Sequence, residues 1–184
     1  MKHILIWANI LLLITACSSM SVSEKETKRH ELDEMAKVAV SGLIENDPSL
    51  QQSIDDAPAY AVANMKVTKV PIVGAGGGEG VFVDKKTNEH IYFTVSRFDI
   101  GGGWGVRSYK VLLVINSPEV IKRFRNGSWE FQAGVEASAG TTSAEGSSGG
   151  DDEGYTVHVL SDGGASATAT ARVIRIKVNK ELAD

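Results

Sequence analysis

The sequence contains a single cysteine, Cys17, so a disulfide bond within one copy of the chain is excluded. It also lacks an excess of basic residues. The formal net charge is −4, and removing residues 1–16 would delete one lysine and no acid, so nucleic acid is not an expected partner. The four histidines are scattered singly, and none stands in a recognisable frame with a nucleophile. We therefore expect no metal, no cofactor and no enzyme activity.

The sequence has no apolar run long enough to span a membrane comfortably, but it begins with a shorter one. Lys2 precedes residues 4–14, which are apolar apart from one asparagine. This pattern indicates a signal peptide over residues 1–16. The next residue, Cys17, completes a sequence that resembles the lipobox of bacterial lipoproteins, in which the cysteine is acylated, for example with palmitate. An ordinary secretory leader with an incidental cysteine is the alternative.

Anchoring at Cys17 would place the rest of the chain in the cell envelope. Two or more acyl chains hold a protein stably at a membrane. Ser18 follows the cysteine, and the resemblance to lipoproteins then implies the outer membrane, with the protein facing the periplasm. Residues 17–23 are predicted to be a lipidated tether, and residues 24–184 a single domain.

Helical spacing is clearest near the start of the predicted domain. Apolar residues recur every three or four positions across residues 32–44, and Ser23 with Glu26 has capping-box spacing before them. We expect an amphipathic helix that packs against the core. Asp47 as an N-cap before Pro48 predicts a short second helix.

The remainder is rich in valine, aromatic residues and glycine, which is typical of short strands. Strands are predicted at residues 60–64, 70–73, 80–83, 91–97, 109–115, 129–139, 155–160 and 168–178. Residues 140–154 are small, polar and acidic, and predict a long mobile loop. The fold class is therefore α+β: a β-rich, mostly antiparallel curved sheet or barrel-like domain, with an N-terminal amphipathic helix and one or two short helices packed on it.

Two glycine-rich stretches could suggest ligand loops. Residues 74–80 do not match a dinucleotide fingerprint or a P-loop, and a strand rather than a helix is predicted after them. Residues 101–105 could form a ligand loop closed by Trp104, but a tight bend in a curved sheet is favoured. Structural roles are predicted for Gly77, Gly78, Gly80, Gly101, Gly102 and Gly103.

Several of these segments follow one another in the order found in a known protein family. They are residues 47–50, 59–62, 77–81, 101–105, 111–116, 120–124 and 129–139. Together they resemble the SYLF-domain family, also known as the actin-patch lipid-binding family, over residues 43–178. The resemblance implies a β-rich domain with helices packed on it, and lipid or phosphoinositide binding rather than catalysis. Eukaryotic members also bind actin, which a periplasm-facing lipoprotein would not meet.

Basic residues are the candidates for contact with lipid headgroups. They are Lys66 and Lys69 near a strand connection, and Lys122, Arg123 and Arg125 on the outward face of a short helix that begins at Pro118. Each would contribute roughly 1 kcal/mol near an anionic surface, unless all belong to a scattered, solvated surface. We expect a lipoprotein whose SYLF-like domain binds membrane lipid. The alternatives are an envelope structural or protein-interaction module and an uncharacterised hydrolase.

Overall fold

The computed structural model describes residues 20–140, 142–145 and 154–183. The predicted signal peptide, Cys17 and the acidic residues 151–153 lie outside these ranges. The helices are α1 (Val22–Asn46), α2 (Ser49–Asp56) and α3 (Pro118–Arg125). The strands are β1 (Ala59–Lys69), β2 (Val73–Asp84), β3 (Glu89–Ile115), β4 (Ser128–Gly140), β5 (Thr142–Glu145) and β6 (Tyr155–Val178). No helix within the described ranges is long and apolar enough to cross a membrane.

Helix α1 begins before the position that the sequence predicted. Ser21 is its N-cap: the Ser21 hydroxyl accepts from the backbone N–H of Glu24, and the Glu24 carboxylate accepts from the Ser21 N–H at 2.7 Å. The predicted capping box of Ser23 and Glu26 is therefore wrong. Both pairs have the same spacing, and the earlier pair adds about half a turn to the helix. The apolar face was predicted correctly, with Leu32, Ala36, Ala39 and Leu43 buried.

The two short helices begin within one residue of their predicted starts. The Asp47 carboxylate accepts from the N–H and hydroxyl of Ser49, so it caps α2 although the first helical residue is Ser49 rather than Pro48. Helix α3 begins at Pro118, and the hydroxyl of Ser117 accepts from the Glu119 N–H at 3.2 Å.

The six strands form one sheet in the order β1-β2-β3-β6-β4-β5, and every pairing is antiparallel. Strand β1 pairs with β2 along one edge and with the second half of β3 along the other, while the first half of β3 pairs with β2. The first three strands therefore close into a small barrel-like unit. Strand β6 follows β3 from Phe93 to Ile115. The predicted α+β class with a curved, mostly antiparallel sheet is confirmed.

Strands that were predicted separately are joined in the structure. Residues 91–97 and 109–115 both belong to β3, and residues 155–160 and 168–178 both belong to β6. The intervening glycine- and alanine-rich stretches have weak strand propensity by themselves. They are held in the sheet because β3 and β6 pair with each other over nearly their whole lengths.

Two predicted segments differ from the structure. Residues 70–72 connect β1 to β2, so the strand predicted over residues 70–73 is wrong except for Val73. Pro71 lies in this connection and has no N–H to donate to a sheet. Part of the predicted loop over residues 140–154 is strand β5, which pairs with β4. Residues 146–153 of that loop lie outside the described ranges.

The hydrophobic core lies on both faces of the barrel-like unit. On the inner face, the ring of Phe124 from α3 is 4.8 Å from that of Phe82 and 5.6 Å from that of Trp129. On the outer face, α1 and α2 pack against Val62, Val81, Tyr92 and Leu112. Helix α1 covers the outer face only around these rows of residues, and the same face continues beyond it toward the β1–β2 connection.

Candidate functional site

Seven large apolar side chains are exposed at the end of the sheet that holds the β1–β2 connection. They are Val70, Ile72, Val73, Phe98, Ile100, Trp104 and Val106. We call this surface the apolar end. Ile72, Trp104 and Ile100 are the most exposed of the set, at 71%, 66% and 60%. A contiguous exposed apolar surface on a folded protein marks a place of interaction.

Backbone pairing brings these residues together. Val73 pairs with Ile100, and the N–H of Gly101 donates to the carbonyl of Ile72 at 2.9 Å. The β1–β2 connection therefore lies against the glycine stretch of β3. Phe98, Ile100, Trp104 and Val106 occupy alternate positions of β3, so they share one face of the sheet.

The glycine stretch of β3 supplies the bend that the sequence predicted. Gly101, Gly103 and Gly105 have φ values of 140°, 143° and 145°, a conformation that other residues adopt only with strain. At this point β3 changes its partner from β2 to β1. Gly102 faces open space, since no atom lies within 4 Å of where its Cβ would be. The stretch therefore leaves open space between Ile100 and Trp104.

The other predicted glycine motif lies in β2, where the barrel-like unit is narrowest. A Cβ at Gly78 would collide with the carbonyl oxygen of Asn64, and one at Gly80 with that of Val62. A Cβ at Gly77 would lie 3.3 Å from a backbone oxygen of β3. These glycines permit close approach of neighbouring strands, which is the structural role predicted for them.

Charged residues lie on the buried face directly behind the apolar end. Arg97 and Asp99 are 3% and 1% exposed, and the guanidinium donates to both carboxylate oxygens at 2.7 and 2.8 Å. A third nitrogen of Arg97 donates to the hydroxyl of Tyr109. Along residues 97–106 the charged side chains are buried and the large apolar ones exposed, which reverses the usual pattern of a half-buried strand.

A second guanidinium reinforces this buried arrangement. The ring of Tyr109 has the guanidinium of Arg107 at 5.5 Å from its centroid and that of Arg97 at 5.9 Å. Lys69 is also buried, and its Cγ would lie 3.3 Å from a Cβ at Gly74, beside the side chain of Asp99.

The structure separates the five basic residues that the sequence offered for headgroup contact. Lys66 is exposed on the outer face of β1, next to the apolar end. Lys69 is 4% exposed, so the expectation that it meets headgroups at the surface is corrected: its position on β1 faces inward. The remaining three residues lie on α3, which packs against the opposite end of the barrel-like unit.

Two of the three basic side chains on α3 already have partners. Arg125 is 2.7 Å from the Asp84 carboxylate and 3.0 Å from that of Glu89. The Arg123 guanidinium lies 5.8 Å from the centre of the Trp129 ring. Lys122 is exposed. These contacts fasten α3 to the sheet and lower the positive charge that it presents to solvent.

Comparison with known proteins identifies a protein of similar sequence. The chain is similar to Beta cell expansion factor A of Aeromonas veronii. The two are 27% identical over 117 residues, which is 64% of this chain and 44% of that relative. The chain thus spans less than half the length of the relative that it matches. No family model matches the chain.

Two histidines in the described ranges, His90 and His158, contact neighbouring residues of the fold. His90 Nδ1 is 2.9 Å from the Asp33 carboxylate, to which the Tyr92 hydroxyl also donates at 3.1 Å, so this group joins α1 to β3. Burial lowers the pKa of His158, an effect that the carboxylate of Asp47 partly offsets. Within the described part of the chain, no group of three or more histidine, cysteine or acidic residues could hold a metal ion.

Sequence reasoning did not identify the apolar end. The signal is present as the alternation of Phe98, Ile100, Trp104 and Val106 with charged residues and glycine. A period of two residues defines two faces but does not say which of them is buried. The usual expectation places the apolar face inside, and here the Arg97–Asp99 pair occupies that side.

Proposed function

We propose that this protein is a non-catalytic lipoprotein of the SYLF-domain family whose folded domain binds membrane surfaces. The apolar end carries the proposal. Four of its side chains are more than half exposed to water, and one of these is Trp104. Tryptophan and large aliphatic side chains together suit the boundary between headgroups and acyl chains.

The charges of the residues near the apolar end also support membrane binding. The strand segments that form the apolar end, residues 64–77 and 95–110, contain five basic residues and one acidic residue, in a chain whose net charge is −4. That acid, Asp99, is buried against Arg97. Of the five basic residues, Lys69 and Arg97 are buried, but Lys66 and Lys110 lie on the outer face beside the apolar end, which favours approach to anionic lipid.

Family membership and anchoring complete the proposal. The ordered motifs from residue 43 to residue 178 support a SYLF domain, as does the likeness to Beta cell expansion factor A. Acylated Cys17 would hold the domain at the outer membrane, facing the periplasm. Helix α1 begins at Val22, five residues later, so the tether would span at most about 17 Å. The domain would stay within reach of the membrane surface.

Vesicle flotation tests membrane binding without the anchor. The chain from residue 17 onward with Cys17→Ser retains every described residue and cannot be acylated. We expect it to float with phosphatidylglycerol vesicles, and more weakly with phosphatidylcholine vesicles. If it floats with neither, intrinsic membrane binding is wrong and only an anchoring role for Cys17 remains.

An envelope protein partner is the second candidate. An exposed apolar surface of this kind is also what a protein interface buries. Crosslinking in cells that recovers one stoichiometric protein through residues of the apolar end, together with failure to float, would favour this alternative.

A further inference from the structure

We infer that the apolar end is a wedge that enters the acyl boundary of a bilayer, with Ile72, Ile100 and Trp104 deepest and α1 left in water. This inference rests on the proposed membrane-binding function and specifies its surface and orientation. The occupant is a lipid bilayer rather than a single lipid or a second copy of the chain.

The wedge lies on the same outer face of the strands that α1 partly covers, beyond the end of that coverage. On the outer face of β1, β2 and β3, α1 buries Val62, Val81 and Leu112. Farther along the same strands the face carries Phe98, Ile100 and Val106, which are exposed. The part of the outer face that α1 covers ends near Glu79, whose carboxylate is 2.6 Å from the ammonium of Lys28.

In the backbone register, alanines of β6 pair with residues of the wedge. The register pairs Ile100 with Ala171, Trp104 with Ala167 and Val106 with Ala165. Directly paired residues of antiparallel strands lie on the same face of the sheet. The residues beside the wedge in β6 are therefore alanines rather than charged residues.

The wedge is held outward by the charged pair behind it. Turning Phe98 and Ile100 inward would turn Arg97 and Asp99 toward solvent and break the hydrogen bond that Arg97 donates to the Tyr109 hydroxyl. A buried ion pair that has both its hydrogen bonds strongly resists loss of one partner. The exposed apolar face is thus a fixed feature of the fold.

Two lysines lie at a distance from the wedge that would place them among the lipid headgroups. Lys66 on β1 precedes Val70 of the β1–β2 connection by four residues, and Lys110 follows Val106 by four on β3, which is about 13 Å of extended chain in each case. Both lysines occupy the outer face, between the wedge and α1. Interfacial elements enter a bilayer by about 5–10 Å, so insertion of the wedge would bring these lysines to the headgroup layer.

Insertion of the wedge excludes α3 from the same membrane. Strand β1 runs from Ala59, which pairs with Asp84, to Lys69 near the wedge, a distance of about 30 Å. Arg125 is bonded to Asp84 at the far end. The inference therefore predicts that Lys122 and Arg123 stay away from the bilayer.

Single substitutions in the Cys17→Ser chain test the wedge. Ile72→Asp and Ile100→Asp should each weaken partition into vesicles by about tenfold or more, because a large aliphatic side chain no longer leaves water. Val38→Asp is the matched control, since Val38 is 63% exposed on α1 and the charge change is the same. It should leave partition unchanged. Circular dichroism checks that all three variants fold.

Tryptophan emission reports the orientation. Trp104 is exposed and Trp129 is buried, so a blue shift on vesicle addition, and quenching by lipids brominated in the acyl chain, would arise from Trp104. Trp104→Phe should remove both signals while most of the partition remains. Absence of quenching in the bound Cys17→Ser chain would overturn insertion.

The remaining outcomes separate the inference from the function on which it rests. If Lys122→Glu with Arg123→Glu abolishes flotation and Ile72→Asp does not, the domain binds membranes through α3 and the wedge is wrong. If the Cys17→Ser chain without further substitutions fails to float, both the function and the wedge are wrong. If sedimentation shows a dimer that Ile72→Asp dissociates while flotation is unchanged, the surface belongs to a second copy and the wedge is again wrong.

Discussion

Single atoms decide how closely the strands of the barrel-like unit approach one another. At Gly78 a methyl group would meet the backbone of Asn64 and the sulfur of Met65. Backbone atoms cannot move aside cheaply, in contrast to the end of a flexible side chain. Glycine is required at this position by space and not by an unusual dihedral angle.

Gly78→Ala is expected to destabilise the fold by about 1–3 kcal/mol, the usual cost of overpacking a tight site. Gly102→Ala is the matched control, because no atom lies within 4 Å of its Cβ position. It should change the free energy of unfolding by less than about 0.5 kcal/mol. Urea unfolding of both variants measures the difference, and equal losses would contradict the close approach of β1 and β2.

The Arg97–Asp99 pair shows why residue type alone misleads at this scale. An arginine and an aspartate in a strand are normally placed on the wet face. Here the guanidinium satisfies both carboxylate oxygens and the hydroxyl of Tyr109, so both charges remain inside. Phe98 between them and Ile100 after them are consequently directed toward solvent.

Among the elements, α1 determines how much of the outer face is covered. Its buried residues follow the helical spacing that the sequence showed, and Ala39 and Leu43 lie against the strands. The helix crosses only part of the face, so it stabilises the fold and also sets the boundary of the apolar end.

Leu43→Ala is expected to lower the free energy of unfolding by about 2–5 kcal/mol, since it removes a buried side chain and leaves a cavity between α1 and the sheet. Val38→Ala, on the exposed side of the same helix, should change it by less than about 0.5 kcal/mol. Thermal or urea unfolding distinguishes the two. A small effect at Leu43 would mean that α1 is not docked as described.

For the whole molecule, the proposed relation to the membrane would depend on Cys17 as well as on the folded domain. The lipobox-like sequence predicts cleavage before Cys17 and acylation of its thiol. One acyl chain gives only marginal membrane binding, whereas two or more give stable attachment.

Intact mass of the protein recovered from membranes tests this prediction. We expect loss of residues 1–16 and added acyl mass on Cys17, and neither change in a Cys17→Ser variant. An unmodified chain in the soluble fraction would remove the anchor. Membrane binding by the apolar end would then have to act alone.

Interactions between near neighbours could be read from the sequence. The apolar stripe of α1, the Ser117 cap of α3 and the outward position of its basic residues depend on contacts within about one helical turn. The curved antiparallel sheet and the glycine bend of β3 were also predicted, because glycine and β-branched residues mark such strands.

Only the tertiary structure decided which face of β3 is covered and which is exposed. That choice depends on α1, which is more than 40 residues away in the chain, and on Arg97, Asp99 and Tyr109 meeting behind the sheet. An alternating sequence is equally compatible with either face inward until the partners of both faces are known. The burial of Lys69 and the exposure of Trp104 follow from the same long-range packing.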